Sequence, residues 1–300
     1  MNSSILFLIF NRPDTAQRVF EEIRKARPPR LYVAADGPRQ SRAGEKELCE
    51  QTRAVVNSVD WPCEVKTLFR EENLGCGKAV SQAITWFFDN EEEGIILEDD
   101  ILPHPDFFPY CDELLEKYRN DNTVGIISGH NHFYERLERD SSFAFQNLGP
   151  IWGWASWKRT WQKYDFNLTF DEKTFMNVIK VKYPDEKIQN YWKWIYRYQR
   201  RNIIDTWDIQ LAISLLYNRM ISIVPYVNLT CNIGFGEDST HTLVDHNGES
   251  AIKTESIMPI IYPSDKTVDT EAEEKMICKA GWRISTLRFM LMQLKSLINK

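Results

Sequence analysis

Apolar runs and amphipathic stretches alternate regularly over the first 128 residues. Short apolar runs, most of them rich in β-branched or aromatic side chains, predict five strands, at 5–10, 31–35, 65–69, 95–97 and 124–127. Apolar residues recur at helical spacing between these runs and predict four helices, at 13–23, 39–59, 79–87 and 105–118. Strands that alternate with helices form a mostly parallel sheet with helices on both faces. The pattern therefore predicts an α/β, Rossmann-like fold.

The pattern changes after residue 128. Turn-rich sequence leads to aromatic clusters at 152–161 and 191–198 and then to an apolar helix after Asp208. We expect a ligand-binding half at 1–128 and a half at 129–263 that forms a second wall over the ligand edge of the sheet. In the remaining part, 264–300, the polar residues 264–275 are typical of a linker, and a basic amphipathic helix follows from residue 282.

Composition excludes several classes of protein. With 300 residues and 43% hydrophobic content, the chain can bury a large core. A net charge of −6 argues against binding nucleic acid by bulk electrostatics. The six cysteines form no CxxC pair, which favours a reducing compartment, and the apolar opening at 5–10 is too short for a signal peptide or a membrane span. We therefore expect a cytoplasmic protein.

Three consecutive carboxylates follow the fourth predicted strand. Glu98, Asp99 and Asp100 come directly after the apolar run 95–97, so they would emerge at the carboxyl edge of the sheet, where open α/β sheets place ligands. Adjacent carboxylates repel each other unless a cation neutralises them. A divalent metal that also binds a phosphorylated ligand fits this requirement.

Other polar residues follow the neighbouring predicted strands and would meet the three acids at the same edge. Arg12 can pair with a phosphate, and Asp36 can accept hydrogen bonds from a base or a ribose. Gly75 would let the backbone approach a ligand, while Arg70 and Lys78 add positive charge. A turn-capping aspartate and a solvated arginine are the alternatives for Asp36 and Arg12.

The segment from Glu98 to Leu102, followed by Pro105 to Tyr110, resembles the metal-binding segment of nucleotide-sugar glycosyltransferases with the GT-A fold. The resemblance is strongest to the inverting N-acetylglucosaminyltransferase that starts complex N-glycan branching and to related bacterial sugar transferases. It extends to 10–12, 35–37 and 128–131, and more loosely to Gly153-Trp154 and Trp207-Asp208. It covers about residues 5–242 and implies an inverting hexosyltransferase or N-acetylhexosaminyltransferase.

The resemblance also implies roles for individual residues on the donor side. Asp100 would coordinate Mn²⁺ or Mg²⁺, with Glu98 and Asp99 near the donor sugar and the ribose. Asn11, Arg12 and Asp36 lie in the segments that contact the nucleotide in this family. The donor is expected to be a UDP-sugar.

On the acceptor side, the resemblance implies a carboxylate that removes the proton from the attacking hydroxyl. Asp208 matches that position best, and Asp205 is the alternative. The glycine-bearing loop 232–241 resembles the late loop that closes over the nucleotide, where His241 would touch the metal or a phosphate. A histidine on a surface loop is the alternative for His241.

Trp152 and Trp154 are candidates for an acceptor platform, because sugar rings stack on indoles. The helical spacing of Trp154, Trp157 and Trp161 equally fits core packing. The acceptor is expected to be a glycan or a lipid-linked sugar. The basic amphipathic C-terminal helix could hold the protein on the inner face of a membrane that carries such an acceptor, or could simply pack on the body.

Two other functions remain open from the sequence. Ser128-Gly129-His130-Asn131-His132 contains a G-H-x-H pattern found in metal-dependent phosphoesterases, but the early Asp-x-His and the Asn-His-Asp or Asn-His-Glu segments of those enzymes are missing. A non-catalytic sugar-binding protein on the same fold is the other alternative, because a fold does not determine a function.

Overall fold

A computed structural model describes residues 1–132, 139–234 and 252–298. Eight strands of the described residues form one mixed sheet, and two short strands pair separately. The strands are β1 (Ser4–Ile9), β2 (Arg30–Ala35), β3 (Glu64–Phe69), β4 (Glu93–Glu98), β5 (Ile101–Pro103), β6 (Val124–Ser128), β7 (Phe143–Gln146), β8 (Trp154–Trp157), β9 (Ile221–Pro225) and β10 (Thr230–Asn232).

The large sheet has the order β3-β2-β1-β4-β8-β6-β9-β7. The four strands β1 to β4 run parallel to one another, and β6 runs parallel to β9. β8 is antiparallel to both β4 and β6, and β7 is antiparallel to β9. The mostly parallel α/β sheet predicted from the sequence is therefore confirmed, and strands from both halves of the chain contribute to it.

Helices cover both faces of this sheet. They are α1 (Pro13–Ala26), α2 (Glu45–Arg53), α3 (Cys76–Asn90), α4 (Phe107–Tyr118), α5 (Lys158–Trp161), α6 (Glu172–Lys182), α7 (Glu186–Gln199), α8 (Asp208–Tyr217), α9 (Thr270–Ala280) and α10 (Thr286–Ile298). A 3₁₀ turn at Ala54–Ser58 follows α2.

Alternation along β1 shows how the sheet separates two cores. Ile5, Phe7 and Ile9 face one hydrophobic cluster, which includes the buried side of α1 and α4, whereas Leu6 and Leu8 face the other, which includes α3 and α6 to α8. All five side chains are buried. A strand that is covered on both faces is apolar at every position, which explains the continuous run in the sequence.

The structure differs from the sequence prediction in two places. Residues 154–157 form strand β8 between β4 and β6, although the tryptophan spacing there also fits a helix. Residues 270–275, predicted to be part of a linker, form the start of α9, with the side chain of Asp269 accepting a hydrogen bond from Ala272 N at 3.0 Å. The linker prediction was therefore wrong for its second part.

None of the helices in the described ranges has both the length and the apolar composition needed to cross a bilayer.

Candidate active site

A cleft of about 420 Å³ lies at the carboxyl ends of β1, β2 and β4. Its opposite wall comes from the segment that leads into α8 and from the residues that follow β10. The cleft brings together most of the residues that the sequence singled out: Asn11, Arg12, Asp36, Arg70, Gly75, Glu98, Asp99, Asp100, Trp152, Asp205 and Asp208. Lys78 and Trp154 are not among the residues that line it. His241 lies outside the described residues.

The three acids at the end of β4 meet Arg12 across the cleft floor. Nη1 of Arg12 lies 2.6 Å from Oδ2 of Asp100 and 3.8 Å from Oδ1 of Asp99. Asp99 also accepts a hydrogen bond from the backbone N–H of Phe10 at 2.9 Å. The guanidinium group therefore neutralises part of the negative charge that the three carboxylates place at this edge.

Burial and mutual repulsion shift the pKa values of these acids. Burial raises the pKa of Glu98 and of Asp99, and the neighbouring Asp100 raises both further. The charge of Asp208, from the second half of the chain, also raises the pKa of Glu98. Burial opposes the charged form of Arg12, but Asp99 and Asp100 outweigh it and raise the pKa of Arg12. A cation bound at this edge would therefore relieve the repulsion among these carboxylates.

Asp100 is the residue best suited to a divalent cation. Its carboxylate is only partly buried and already holds a cationic partner, the guanidinium of Arg12. Carboxylate oxygens suit Mg²⁺ and Mn²⁺, and such ions bind through one or two carboxylates together with the phosphates of a substrate. Among the described residues, no three His, Cys, Asp or Glu side chains are grouped to hold a metal ion.

Asp36 organises the loop on the β2 side of the cleft. Its carboxylate accepts hydrogen bonds from the backbone N–H groups of Gly37 and Leu74 at 3.0 Å and of Gly75 at 3.1 Å. Burial raises the pKa of Asp36, and these three hydrogen bonds partly oppose the rise. Asp36 thus ties the loop after β2 to the loop after β3, which matches the turn-capping alternative, while it remains on the surface of the cleft.

Asp205 caps helix α3. Its two carboxylate oxygens accept hydrogen bonds from the backbone N–H groups of Cys76 and Gly77, each at 2.9 Å. These are free donors of the first helical turn, and a carboxylate there is also favoured by the helix dipole. Gly75 and Gly77 make room for this carboxylate, because a Cβ at either position would overlap it. The glycines thus serve an internal contact, and both oxygens of Asp205 are engaged.

Replacing Gly75 by Ala should lower the stability of the protein. Gly75 has φ +79° and ψ 164°, a region that is essentially restricted to glycine, and its Cβ would displace Asp205 from the α3 cap. We expect a loss of about 3 kcal/mol, measured as the free energy of unfolding in urea. Gly44→Ala is the control, because Gly44 has φ +78° with open space around it. It should cost about 1 kcal/mol, and equal losses would contradict the capping role.

Asp208 is the first residue of α8 and is held by its neighbours. Oγ1 of Thr206 donates a hydrogen bond to Oδ1 of Asp208. Nε2 of Gln210 donates to the carbonyl oxygen of Thr206 at 2.9 Å, and the phenol of Tyr164 donates to the carbonyl oxygen of Trp207 at 3.2 Å. The helix start is thereby fixed against the body, and the carboxylate of Asp208 lies on the cleft wall.

The two tryptophans proposed for the acceptor side have different surroundings. Trp152 is half-buried on the cleft, and its carbonyl oxygen accepts a hydrogen bond from Oγ1 of Thr230 at 2.6 Å. Trp154 is 1% exposed and stacks on Trp207 with a centroid distance of 5.8 Å. Trp154 therefore packs in the core, as the alternative from its spacing predicted, and only Trp152 has access to a ligand.

Arg39 and Thr206, which line the cleft, were not singled out from the sequence, and Gly234 was included only as part of the loop 232–241. Arg39 pairs with Glu45, and its guanidinium lies 5.4 Å from the ring centroid of Phe10. Thr206 orients Asp208, and a hydroxyl two residues before an acid is the only signal for it. Gly234 packs against the Arg12–Asp100 pair so closely that a Cβ would overlap Asp100. Its role depends on a contact that the sequence does not reveal.

The G-H-x-H pattern does not form part of the cleft. His130 is fully buried, with Nδ1 3.2 Å from the carbonyl oxygen of Thr230, and it is absent from the cleft lining. Burial lowers the pKa of His130, and the neighbouring His132 lowers it further. This histidine is therefore a neutral core residue, and its ring packs against Trp152 with a centroid distance of 4.7 Å.

A larger cavity, of about 1140 Å³, lies at the opposite, amino edge of the sheet. Charged groups on its wall already pair with each other. Arg30 donates two hydrogen bonds to Glu91, at 2.6 and 2.9 Å, and the phenol of Tyr32 donates to the same carboxylate at 2.8 Å. In the smaller cavity, by contrast, several acids converge on one edge of the cleft and favour a bound cation. The smaller cavity is therefore the better candidate site.

Comparisons with known proteins leave the function open. No protein-family model and no curated protein matches the sequence. Among solved structures, HddC from Yersinia pseudotuberculosis matches with a TM-score of 0.32 and 9% identity over 52% of this chain and 77% of that chain. The inositol-1-phosphate CTP transferase from T. maritima gives 0.38 and 10% over 74% and 84%. A UDP-glucose pyrophosphorylase complexed with UDP-glucose gives 0.36 and 11% over 75% and 90%. Similarities this weak support no functional conclusion.

Proposed function

We propose that the protein is a metal-dependent, inverting glycosyltransferase that moves a sugar from a nucleotide-sugar, preferably a UDP-sugar, to a hydroxyl group of a glycan or lipid-linked acceptor. One observation carries the proposal. The acids of the β4 end, the cations Arg12 and Arg70, and Asp208 from the second half of the chain all line one cleft at the carboxyl edge of the sheet. This is the edge at which open α/β sheets bind nucleotides.

Charge on the two sides of the cleft suits a negatively charged donor with a neutral acceptor. Among the described residues, the guanidinium of Arg70 donates one side-chain hydrogen bond, to Gln82 at 3.4 Å, and burial lowers its pKa. A phosphate that binds beside Arg70 would therefore pair with a cation that has few other partners in the described ranges. Asn11 and Arg39 line the same side, where Arg39 is held by Glu45. Trp152 offers a half-buried indole on the remaining wall, a surface on which a sugar ring can stack.

Asp208 is the group that can take the proton from the acceptor. In an inverting transfer the acceptor oxygen forms a bond to the anomeric carbon while the bond to the diphosphate breaks, and a general base receives the hydroxyl proton. Oδ1 of Asp208 is oriented by Thr206, which leaves Oδ2 available for this proton. Asp205 is unsuited to the role, because both of its oxygens already accept hydrogen bonds from the N-terminus of α3.

The residues present fit a divalent cation. Asp100, with His241 beyond the described residues, would hold Mn²⁺ or Mg²⁺, which when bound would offset the charge on the departing diphosphate. Arg12 has the complementary task in this chain. It pairs with Asp100 and lies where it can turn to a phosphate when a metal ion binds this carboxylate.

Binding of UDP together with Mn²⁺ should raise the melting temperature. A ligand at 100 times its dissociation constant stabilises the native state by about 2.7 kcal/mol, which corresponds to a rise of roughly 5–10 °C for a domain of this size. A screen of nucleotides and nucleotide-sugars by differential scanning fluorimetry, with and without Mn²⁺, checks this expectation. CMP and inorganic phosphate are the controls and should give smaller shifts than UDP.

Activity on the ligand found in that screen tests the reaction itself. We expect release of a nucleoside diphosphate that depends on both the acceptor and Mn²⁺. Cleavage of simple phosphate esters would show a phosphoesterase, and binding without turnover would show a non-catalytic sugar-binding protein. Formation of pyrophosphate from a nucleoside triphosphate and a sugar phosphate would show a nucleotidyltransferase. Each of these three results contradicts the proposed function.

A further inference from the structure

The last helix carries an apolar stripe that faces solvent. Leu287, Met290 and Leu291 lie at i, i+3 and i+4 on α10, and their exposed fractions are 70%, 57% and 51%. Residues at this spacing share one face of a helix. Leucine and isoleucine at 294 and 298 continue the spacing in the sequence. Single exposed apolar residues are common on protein surfaces, but a continuous stripe indicates a contact with something apolar.

The stripe is not needed to hold α10 on the body of the protein. Trp282, just before the helix, stacks on Tyr191 of α7 with a centroid distance of 5.8 Å. The backbone N–H of Ile284 donates to the carbonyl oxygen of Lys187 at 3.0 Å. Nζ of Lys193 lies 5.8 Å from the ring centroid of Phe289, on a different side of α10 from the stripe. The helix is thus anchored through its start and through Phe289, and the described residues leave the stripe exposed.

Helix α7, which packs against α10, also carries exposed aromatic and basic side chains near its end. Trp194 and Tyr198, one turn apart, are partly exposed and lie 5.1 Å from each other. After the helix come Arg200, Arg201 and Ile203, all exposed, the last at 48%. Tryptophan and tyrosine favour the boundary between water and lipid, where the ring is buried and its polar atom stays hydrated. We call Trp194, Tyr198, Ile203, Leu287, Met290 and Leu291 together the α7–α10 face, because they are exposed or partly exposed apolar and aromatic side chains of two helices that pack on each other and of the segment after α7.

Several cations lie near the α7–α10 face. Residues 282–300 contain two arginines, two lysines and no acid, although the chain has a net charge of −6. Arg283 is paired with Asp185 and Glu274, but Arg288 is exposed beside the apolar stripe. Arg200 and Arg201 add two more exposed cations. Apolar side chains flanked by cations are complementary to a surface that has an anionic outer layer over an apolar interior.

We propose that the α7–α10 face docks on a lipid bilayer that contains anionic headgroups. The apolar stripe and the two aromatic residues would enter the boundary between headgroups and acyl chains, and the arginines would pair with the lipid phosphates. A second copy of this chain would bring the same cations together across a symmetric contact, which is electrostatically unfavourable. A lipid surface can bury the apolar residues and pair with the cationic residues without that repulsion.

Docking in this way would place the cleft close to the membrane. Ile203 and Arg201 lie in the segment that leads directly to Asp205 and Asp208. Tyr191, which stacks on Trp282 beside α10, is close enough to Asp208 that the charge of this carboxylate helps to raise the pKa of its phenol, together with burial. If the proposed function holds, on which this step rests, the acceptor is a sugar linked to a lipid in that bilayer.

Vesicle co-sedimentation tests the docking without any substrate. The full chain should bind vesicles of phosphatidylglycerol and phosphatidylethanolamine at low salt and should bind pure phosphatidylcholine vesicles at least tenfold less. The double variant Leu287→Glu/Leu291→Glu should reduce binding to the anionic vesicles by at least tenfold. Val181→Glu is the matched control, because Val181 is 84% exposed on α6, and it should bind as the wild type does. Higher salt should weaken the wild-type binding.

Three results would overturn the docking. The first is equal vesicle binding by the wild type and the double variant, and the second is no vesicle binding by either. The third is a wild type that binds no vesicles and forms a dimer in sedimentation velocity, while the double variant is a monomer. Circular dichroism and the melting-temperature shift with UDP and Mn²⁺ check that the double variant is folded and still binds its donor. Loss of vesicle binding with an unchanged shift separates the membrane contact from the proposed function.

Discussion

The Asp208→Asn variant should bind the donor normally and transfer sugar about 10²–10⁴-fold more slowly than the wild type, the contribution expected of a general base. The amide keeps the shape of the side chain and can still meet the hydroxyl of Thr206, so the start of α8 should remain in place. It cannot accept a proton at neutral pH. Steady-state kinetics with saturating donor and acceptor measure the loss, and the melting-temperature shift with UDP and Mn²⁺ reports donor binding.

Asp205→Asn is the matched control for this prediction. Because Asp205 caps α3 through two backbone N–H groups, this variant should lose about 1 kcal/mol of stability, measured in urea, and should keep its rate of transfer within a few-fold. If Asp205→Asn abolishes transfer while Asp208→Asn transfers normally, the assignment of the base is wrong. The two aspartates are only three residues apart, so the comparison isolates their roles rather than their location.

The Asp100→Ala variant should lose the metal-dependent part of both donor binding and transfer. Removing this carboxylate deletes the best cation ligand of the edge and leaves Arg12, among the described acids, with the 3.8 Å contact to Asp99. Metal assistance is worth several kcal/mol, so transfer should fall by about 10³-fold or more. Titration of UDP by calorimetry, with Mn²⁺ or with EDTA, should show a difference for the wild type and none for the variant.

Asp89→Ala is the control for charge removal in general. Asp89 is exposed near the far end of α3, away from the cleft, and its loss should leave both the affinity for UDP with Mn²⁺ and the rate unchanged. An Asp100→Ala protein with a normal response to Mn²⁺ would show that Mn²⁺ binds at another site and would contradict the role of Asp100.

Strands covered on both faces were the most predictable part of the fold. β1, β2 and β4 are nearly continuous apolar runs between turn signals, and the sequence predicted each of them within two residues at either end. β8 was missed, because all four of its residues are buried and no alternation marks it as a strand. The local pattern of apolar residues indicates which residues are buried, but it does not indicate which neighbouring strand covers them.

The acidic start of α9 shows the same limit. Glu271 and Glu273 suggested a solvated linker, yet they lie in the first turn of a helix, where acids are favoured. Glu273 is 5% exposed and accepts hydrogen bonds from Nδ2 of Asn147 at 2.7 Å and from the phenol of Tyr183 at 2.8 Å. These partners lie 126 and 90 residues away along the chain. A buried carboxylate with distant partners cannot be told from a solvated one by composition.

The sequence predicted many of the residues that line the cleft, but not the pairs that they form. The ends of parallel strands meet at one edge, so Arg12, Asp36 and the β4 acids could be placed together from the sequence. The ion pair between Arg12 and Asp100 and the α3 cap by Asp205 depend on tertiary contacts across 88 and 129 residues. Gly75, which was expected to face a ligand, therefore faces the side chain of Asp205.

The Arg12–Asp100 pair is the point on which the account depends. We expect the guanidinium of Arg12 to be exchanged for a metal ion when a diphosphate binds together with that ion. The most direct measurement is the anomalous scattering of manganese in crystals grown with UDP and Mn²⁺. We expect an anomalous peak within coordination distance of Asp100, with the guanidinium of Arg12 moved onto a phosphate. An Asp100 still paired with Arg12, with no manganese beside it and UDP absent from the cleft, would contradict the account.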